Sequence, residues 1–311
     1  MPTLQKSAVI TGASSGIGRS CVERMSRAGW QVFAGVRREA DRENLRREFA
    51  ANVWPVLMNV ENEASIAAGA ADIERQLSGR GLDGLVNVAG IGMLRPIEYA
   101  TMQDLRKIFD VNFFGQVAII QAFLRLLRKK RGRIVNITTV GVNIAIPFGG
   151  LLNASKSAFA KLSDTLRLEM RSFGVRVIAI EPGSISTPAV DKTLGDLEKV
   201  ILSLPAEAQA LYGASIRKMG RRGYAMEKNG SSSDVVAAAV HHALTSSRPR
   251  IRYRVGKHAK LAATLPKILP ERLIDAILHR MLGSSDGPET GRKESQAQRA
   301  ARPVSPRLNP K

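Results

Sequence analysis

The feature that most constrains the fold is an alternation. Seven short apolar, β-rich runs punctuate the 311 residues: "SAVIT" (7–11), "QVFAGV" (31–36), "WPVLM" (54–58), "DGLVNV" (83–88), "RIVNIT" (133–138), "VRVIAIE" (175–181) and "IRYRV" (251–255). Segments of helical length lie between them, at 17–28, 40–49, 63–77, 103–129, 154–173 and 233–245. Most of the runs are apolar throughout, the pattern of strands covered on both faces. Strand, helix, strand in regular succession requires right-handed crossovers between parallel neighbours. The expectation is an α/β fold, a doubly wound and mainly seven-stranded parallel sheet with helices on both faces.

Two regions break the rhythm. Residues 187–230 mix helix and loop signals after a late strand, where an insertion would cover the crevice at the carboxyl ends of the strands. Residues 256–283, "GKHAKLAATLPKILPERLIDAILHRMLG", set apolar residues at helical spacing among basic ones and read as a basic amphipathic extension, suited to its own domain or to a membrane surface. Residues 284–311 are polar, proline-bearing and poor in aliphatics, and are expected to be disordered. The division is thus a main domain over 1–255, the extension over 256–283 and a tail over 284–311.

Composition narrows the class. A hydrophobic fraction of 44% suits a globular chain. The start "MPTLQKSAVITGASSG" lacks the order of a signal peptide, which points to the cytoplasm. The single cysteine, Cys21, excludes an internal disulfide framework and is expected to be a small buried residue of the first helix. Net charge is +20, but the basic residues are scattered apart from "RKKRGR" at 128–133. With no aromatic-interleaved patch or zinc-finger spacing beside them, specific nucleic-acid recognition is not expected, whereas contact with anionic membrane is compatible. No metal site is expected.

The first chemistry lies in "AVITGASSGIGRS". Gly12, Gly16 and Gly18 fall between the first strand and the first helix, where a pyrophosphate needs bare backbone N–H groups at a helix N-terminus. This makes the sheet a Rossmann-type one. The second strand then ends in Val36, Arg37 and Arg38 in place of the acid that would hold a ribose 2′-hydroxyl. Guanidinium groups match a 2′-phosphate, so NADP(H) is favoured over NAD(H).

With "NVAG", "FDVNFFG", "GRIVNITT" and "NASK" following in that order, the sequence resembles the short-chain dehydrogenase/reductases over roughly residues 6–255, and its C-terminal segment resembles those of lipid-, retinol- and steroid-directed members. The resemblance implies an oxidoreductase that exchanges hydride between a nicotinamide cofactor and a carbonyl or secondary alcohol of a bulky apolar substrate. It implies cofactor contacts at Gly12, Ser14, Ser15, Gly16, Ile17, Gly18, Asn59, Val60, Asn87, Ala89, Gly90, Pro182, Gly183, Ile185 and Thr187, together with Arg37 and Arg38. It also implies that Asn112 holds a water of the proton relay, that Thr139 stands for the substrate-orienting serine, and that Lys156 binds the nicotinamide ribose. Assembly into a homodimer or tetramer through the two long helices is a further implication.

One position departs. In the family a tyrosine stands four residues before the lysine, so that an ammonium one helical turn away favours the ionised phenol. That position here is Leu152, which has no proton to give, and losing a positioned general acid typically costs about 100- to 10,000-fold in rate. Tyr212 and Tyr224, in the substrate segment, are the candidate substitutes. Three readings stay open at this level: an altered or impaired NADP(H)-dependent enzyme, an NADP(H)-binding pseudoenzyme with a regulatory or partner-subunit role, and a basic binder of membrane surfaces.

Overall fold

The computed structural model describes residues 5–49 and 51–282; the expected tail at 284–311 lies outside the described residues. The seven runs all form strands: β1 (Ser7–Ile10), β2 (Gln31–Val36), β3 (Val53–Leu57), β4 (Gly84–Asn87), β5 (Arg133–Ile137), β6 (Arg176–Pro182) and, after a two-residue pair described below, β9 (Arg252–Val255). They make one sheet in the order β3-β2-β1-β4-β5-β6-β9, parallel throughout. The order reverses beside β1, whose Val9 is level with Phe33 on one side and Leu85 on the other. Such a reversal leaves a crevice at the carboxyl ends of the strands.

Each face of the sheet carries its own core, and successive strand residues are dealt to opposite sides. Ala8, Ile10, Val86, Val135 and Ile178 face helices α1 (Gly16–Arg27) and α10 (Asp234–Thr245), meeting Cys21, Val22, Met25, Val236 and Val240. Val9, Phe33, Leu85, Ile134 and Val177 meet Ile73, Phe123 and Phe159 on the other side, from α3 (Glu63–Leu77), α5 (Gly115–Lys130) and α6 (Gly150–Glu169). Helix α2 (Glu39–Glu48) covers β2 and β3 through Leu45. Burial pushes the Cys21 thiol up to about 12, so this cysteine is an inert core residue, as its helical position suggests.

Three elements differ from the sequence reading. The long helix expected at 103–129 is α4 (Met102–Phe109) and α5 joined by one wide π-type turn, Asp110–Phe114. This stretch of 102–130 is long and apolar enough to cross a membrane by composition, yet Ile119, Phe123 and Leu127 are buried against the sheet. Helix α6 begins at Gly150 rather than Ala154. The stretch 187–230 is mostly helical, with α7 (Pro188–Leu194), α8 (Leu197–Leu202) and α9 (Ala206–Lys228), closed at its base by the short parallel pair β7 (Ile185–Ser186) and β8 (Ser231–Ser232).

The basic extension forms α11 (Ala259–Ile268) and α12 (Glu271–Leu282). Ala259, Ala262 and Ala263 are buried, while Leu261, Ile268 and Leu273 are exposed. Its inner side therefore docks on the domain and its outer side stays apolar.

A buried polar chain crosses the sheet. Asn87 Nδ2 donates to Asn136 Oδ1 at 2.8 Å, Asn136 Nδ2 donates to Ser163 Oγ at 2.8 Å, and Ser163 Oγ donates to the Phe159 carbonyl at 2.7 Å. Leaving a buried donor unpaired costs about 1–3 kcal/mol. Asn136→Ala strands the Asn87 amide and is expected to lower unfolding free energy by about that amount, read as a lower urea midpoint with unchanged slope.

Candidate active site

The crevice is built at the ends of β1 and β4. Thr11 Oγ1 accepts the N–H groups of Val88 (3.0 Å) and Ala89 (3.2 Å), which ties the two strand ends together. The chain passes so close here that a Cβ on Gly12 would fall 2.9 Å from Ala89 Cα, and Gly12 holds a left-handed φ of 64°. A Cβ on Gly18 would fall 2.1 Å from the Gly12 carbonyl oxygen, so the first turn of α1 packs against the loop that feeds it. Ser15, at the N-cap of α1, makes no side-chain capping bond. The amides of that turn are therefore left for a ligand, and the positive end of the helix favours an anionic one.

A cleft of about 320 Å³ lies over this turn, within the roughly 300–1,000 Å³ typical of small-molecule sites. Of the residues expected from the sequence, Gly12, Ser14, Ser15, Gly16, Ile17, Gly18, Arg37, Asn59, Val60, Ala89, Gly90 and Thr187 line it. Arg38 does not. Its guanidinium turns along α2 and donates to both carboxylate oxygens of Asp41, at 2.8 Å each, leaving Arg37 as the cation at the end of β2. Asn59 keeps its amide nitrogen for other partners, because its Oδ1 accepts the N–H of Glu61 at 3.2 Å.

The cleft also uses residues that sequence reasoning missed. Gly35, Met58, Glu61, Ile91, Gly92 and Val111 complete its walls, and Ala189, Lys192 and Thr193 reach it from α7. A Cβ on Gly92 would lie 2.8 Å from Thr193 Oγ1, so the substrate segment closes directly on the cofactor side of the crevice. Close approach of two segments about a hundred residues apart leaves no local sequence signal.

Deeper in, Asn112, Lys156 and Gly90 converge. Asn112 sits in the wide turn Asp110–Phe114, fully buried. Its Oδ1 accepts the Ile91 N–H at 2.9 Å, and its Nδ2 donates to the Ile91 carbonyl at 3.0 Å and to Ser155 Oγ at 3.1 Å. Ser155, unforeseen from sequence, donates on to the Leu152 carbonyl at 2.9 Å. Lys156 Nζ donates to the Ile137 carbonyl at 3.0 Å, and a Cβ on Gly90 would lie 3.2 Å from Asn112 Oδ1 and 3.3 Å from Lys156 Nζ. Burial pulls the Lys156 ammonium down to about 8.

Leu152 lies one turn before Lys156 in α6, half-buried. Thr139 caps the short turn Val140–Asn143, its Oγ1 accepting the Gly141 N–H at 3.1 Å. Asn87 belongs to the buried chain below the crevice, and Pro182 ends β6. Gly183 and Ile185 do not line the cleft: a Cβ on Gly183 would fall 2.1 Å from the Lys257 carbonyl oxygen, and Ile185 is 4% exposed.

Each of the four tyrosines has a partner of its own. Tyr212 donates its hydroxyl to Glu98 at 2.6 Å and Tyr224 donates to Asp191 at 2.8 Å, so both phenols are held above their usual range by a carboxylate acceptor. Tyr253 pairs with His242 beside the sheet edge, and Tyr99 stacks edge-on against Tyr212. Phe148 meets Tyr212 in the same way, and with Leu94, Ile201, Leu204 and Ile216 these rings form an apolar cluster beneath α8 and α9.

The family model for the short chain dehydrogenase matches residues 6–197. Among curated relatives, "Retinol dehydrogenase 5" of Homo sapiens is 33% identical over 287 residues, covering 89% of each chain, and "17-beta-hydroxysteroid dehydrogenase type 6" of Rattus norvegicus is 34% identical over 276 residues, covering 86% of each. Among solved structures, a short-chain dehydrogenase from Streptomyces avermitilis superposes with a TM-score of 0.66 at 24% identity, covering 94% of this chain and 99% of that one. A Burkholderia cenocepacia short chain dehydrogenase in complex with NADP gives 0.66 at 23% identity, covering 90% and 98%. Taken with the uncapped glycine turn and the Asn112–Ser155–Lys156 constellation, these matches identify the chain as a member of the short-chain dehydrogenase/reductase family of oxidoreductases, which bind a nicotinamide cofactor.

Proposed function

We propose that the chain is an NADP(H)-dependent oxidoreductase for a carbonyl or secondary alcohol on a bulky apolar substrate, with proton transfer impaired at Leu152. The observation that carries this reading is the pairing of an uncapped, side-chain-free helix start with a buried lysine and asparagine at the far end of one crevice. The relatives named for retinol and 17β-hydroxysteroids support an apolar substrate.

The residues divide the work. Backbone amides at 14–18 would hold the pyrophosphate, Arg37 the 2′-phosphate, and Lys156 the nicotinamide ribose; the cofactor supplies or accepts hydride when bound. Asn112 fixes the backbone at Ile91 and, through Ser155, the first turn of α6. Thr139 offers a hydroxyl toward the substrate, while Leu152 can exclude water but moves no proton. A second reading, an NADP(H)-binding pseudoenzyme, is favoured by the commitment of Tyr212 and Tyr224 to carboxylates.

Assembly as a homodimer through α5 and α6 belongs to the same proposal. The groove between them sets Val117, Leu124, Leu162 and Leu166 beside Lys161 and Glu169, and Phe114 is 58% exposed.

Three measurements test the reading. Arg37→Gln is expected to weaken NADPH binding by about tenfold or more, the loss of one charge-assisted contact, while leaving NADH unchanged; equal losses for both would remove the 2′-phosphate assignment. Leu152→Tyr is expected to raise single-turnover hydride transfer to retinoid or steroid ketones by about 100-fold or more, and no gain would leave the pseudoenzyme reading in place. The third concerns pH. Because Lys156 loses its proton near pH 8, a cofactor that prefers the ammonium binds more tightly below pH 8 than above it. Fluorescence titration with NADPH is expected to show affinity falling several-fold between pH 7.5 and 9.5, and a flat profile in Lys156→Met.

A further inference from the structure

The face opposite the crevice carries a charge pattern that the oxidoreductase reading does not use. Strands β4, β5, β6 and β9 are consecutive neighbours, and the turns that lead into them share one end of the sheet. The turn before β5 brings Arg128, Lys129, Lys130 and Arg131, all exposed. Arg171 and Arg176 flank the turn before β6, and Arg248 and Arg250 stand before β9, again exposed.

These corners touch. A Cβ on Gly81, before β4, would meet the side chains of Lys129 and Lys130 at 2.8 and 2.7 Å, and one on Gly174, before β6, would meet Arg131 at 3.1 Å. Arg176 Nη1 donates to the Ser247 carbonyl at 2.8 Å, joining the β6 corner to the β9 corner.

Among the described residues none of these eight cations forms an ion pair, although arginines elsewhere commonly do. Of the acids on the same elements, Asp83 accepts from the N–H and hydroxyl of Ser7, Glu74 is held by Arg125, and Glu169 ends α6. An unbalanced positive field spans three strand ends and reaches the β4 turn through Lys129 and Lys130.

Apolar side chains stand within this field. Phe173 is 47% exposed at the β6 corner and Ile251 is 61% exposed at the β9 corner. None of the basic residues or these two lines the crevice or the α5–α6 groove, so the charged face is separate from both. It offers no stacking platform for bases, since Arg128 already covers the Phe173 ring at 5.4 Å. Cations around protruding apolar tips suit a flat anionic surface, where the charges meet headgroups and the tips reach the acyl boundary.

We propose that this face, formed by the turns before β4, β5, β6 and β9, docks the protein on a membrane carrying anionic headgroups. Docked this way, the crevice at the opposite ends of the strands is turned to water, away from a surface whose charge repels a polyanionic dinucleotide. The exposed apolar side of α11 and α12 lies elsewhere and is the competing contact.

The test is sedimentation with vesicles of neutral lipid alone and of neutral lipid with phosphatidylserine, across a salt series. Binding is expected only with phosphatidylserine and is expected to weaken as salt rises. Each cation held at such a surface is worth roughly fivefold in partition, so the variant K129E/K130E/R248E/R250E is expected to lose at least about 100-fold. Its far-ultraviolet circular dichroism and NADPH affinity are expected to match the parent, which separates lost docking from lost folding. K260E/K267E/R272E, on α11 and α12, is expected to keep vesicle binding. The proposal is overturned by equal binding to both vesicles, by loss in the α11–α12 variant with retention in the four-site variant, or by single-stranded RNA displacing the protein from phosphatidylserine vesicles at matched charge.

Discussion

The closeness of β1 and β4 at their carboxyl ends is the constraint on which the rest depends. Thr11 holds the amides of Val88 and Ala89, and that bond fixes where the sheet order turns back on itself. Only glycine can follow, since a Cβ there would fall 2.9 Å from the Ala89 Cα and the φ is left-handed. From that point the chain must rise over the sheet and begin a helix whose first amides are uncapped. Cofactor cradle and sheet topology are therefore one construction, and a change in either would unmake the other.

Much of this was legible in the sequence because it is local. All seven strands announce themselves as apolar runs, and a glycine turn between a strand and a helix has a mechanical reason that spacing alone reveals. The features that escaped are those settled between distant segments. Nothing near Arg38 says whether it serves a ligand or its own helix; the structure gives it to Asp41, three residues on in the first turn of α2. Lys192 and Thr193 enter the crevice only because α7 folds back over Gly92. Ser155 looks like an ordinary small helical residue until Asn112 is placed beside it.

Leu152 isolates two functions that a tyrosine would have fused. A phenol there would both accept the influence of Lys156 and deliver a proton, while leucine leaves the lysine buried beside the Ile137 carbonyl and, among the described residues, without a carboxylate partner. Burying an ammonium in this way costs free energy that the fold alone does not return, and the cost is offset if a ligand meets the charge. Lys156, Asn112 and the glycine turn together support cofactor binding without calling on a proton donor at position 152.

The wide turn at Asp110–Phe114 has a geometric consequence of its own. It inserts a residue's worth of winding between α4 and α5, so Asn112 projects toward Ile91 while Ile119, Phe123 and Leu127 still face the sheet. A regular helix advances about 100° per residue. Removing one residue here would swing α5 by that angle and force a choice between an aligned asparagine and an aligned core. Site and core are thus phased against each other along a single rod, and the irregularity is the device that lets both be in register.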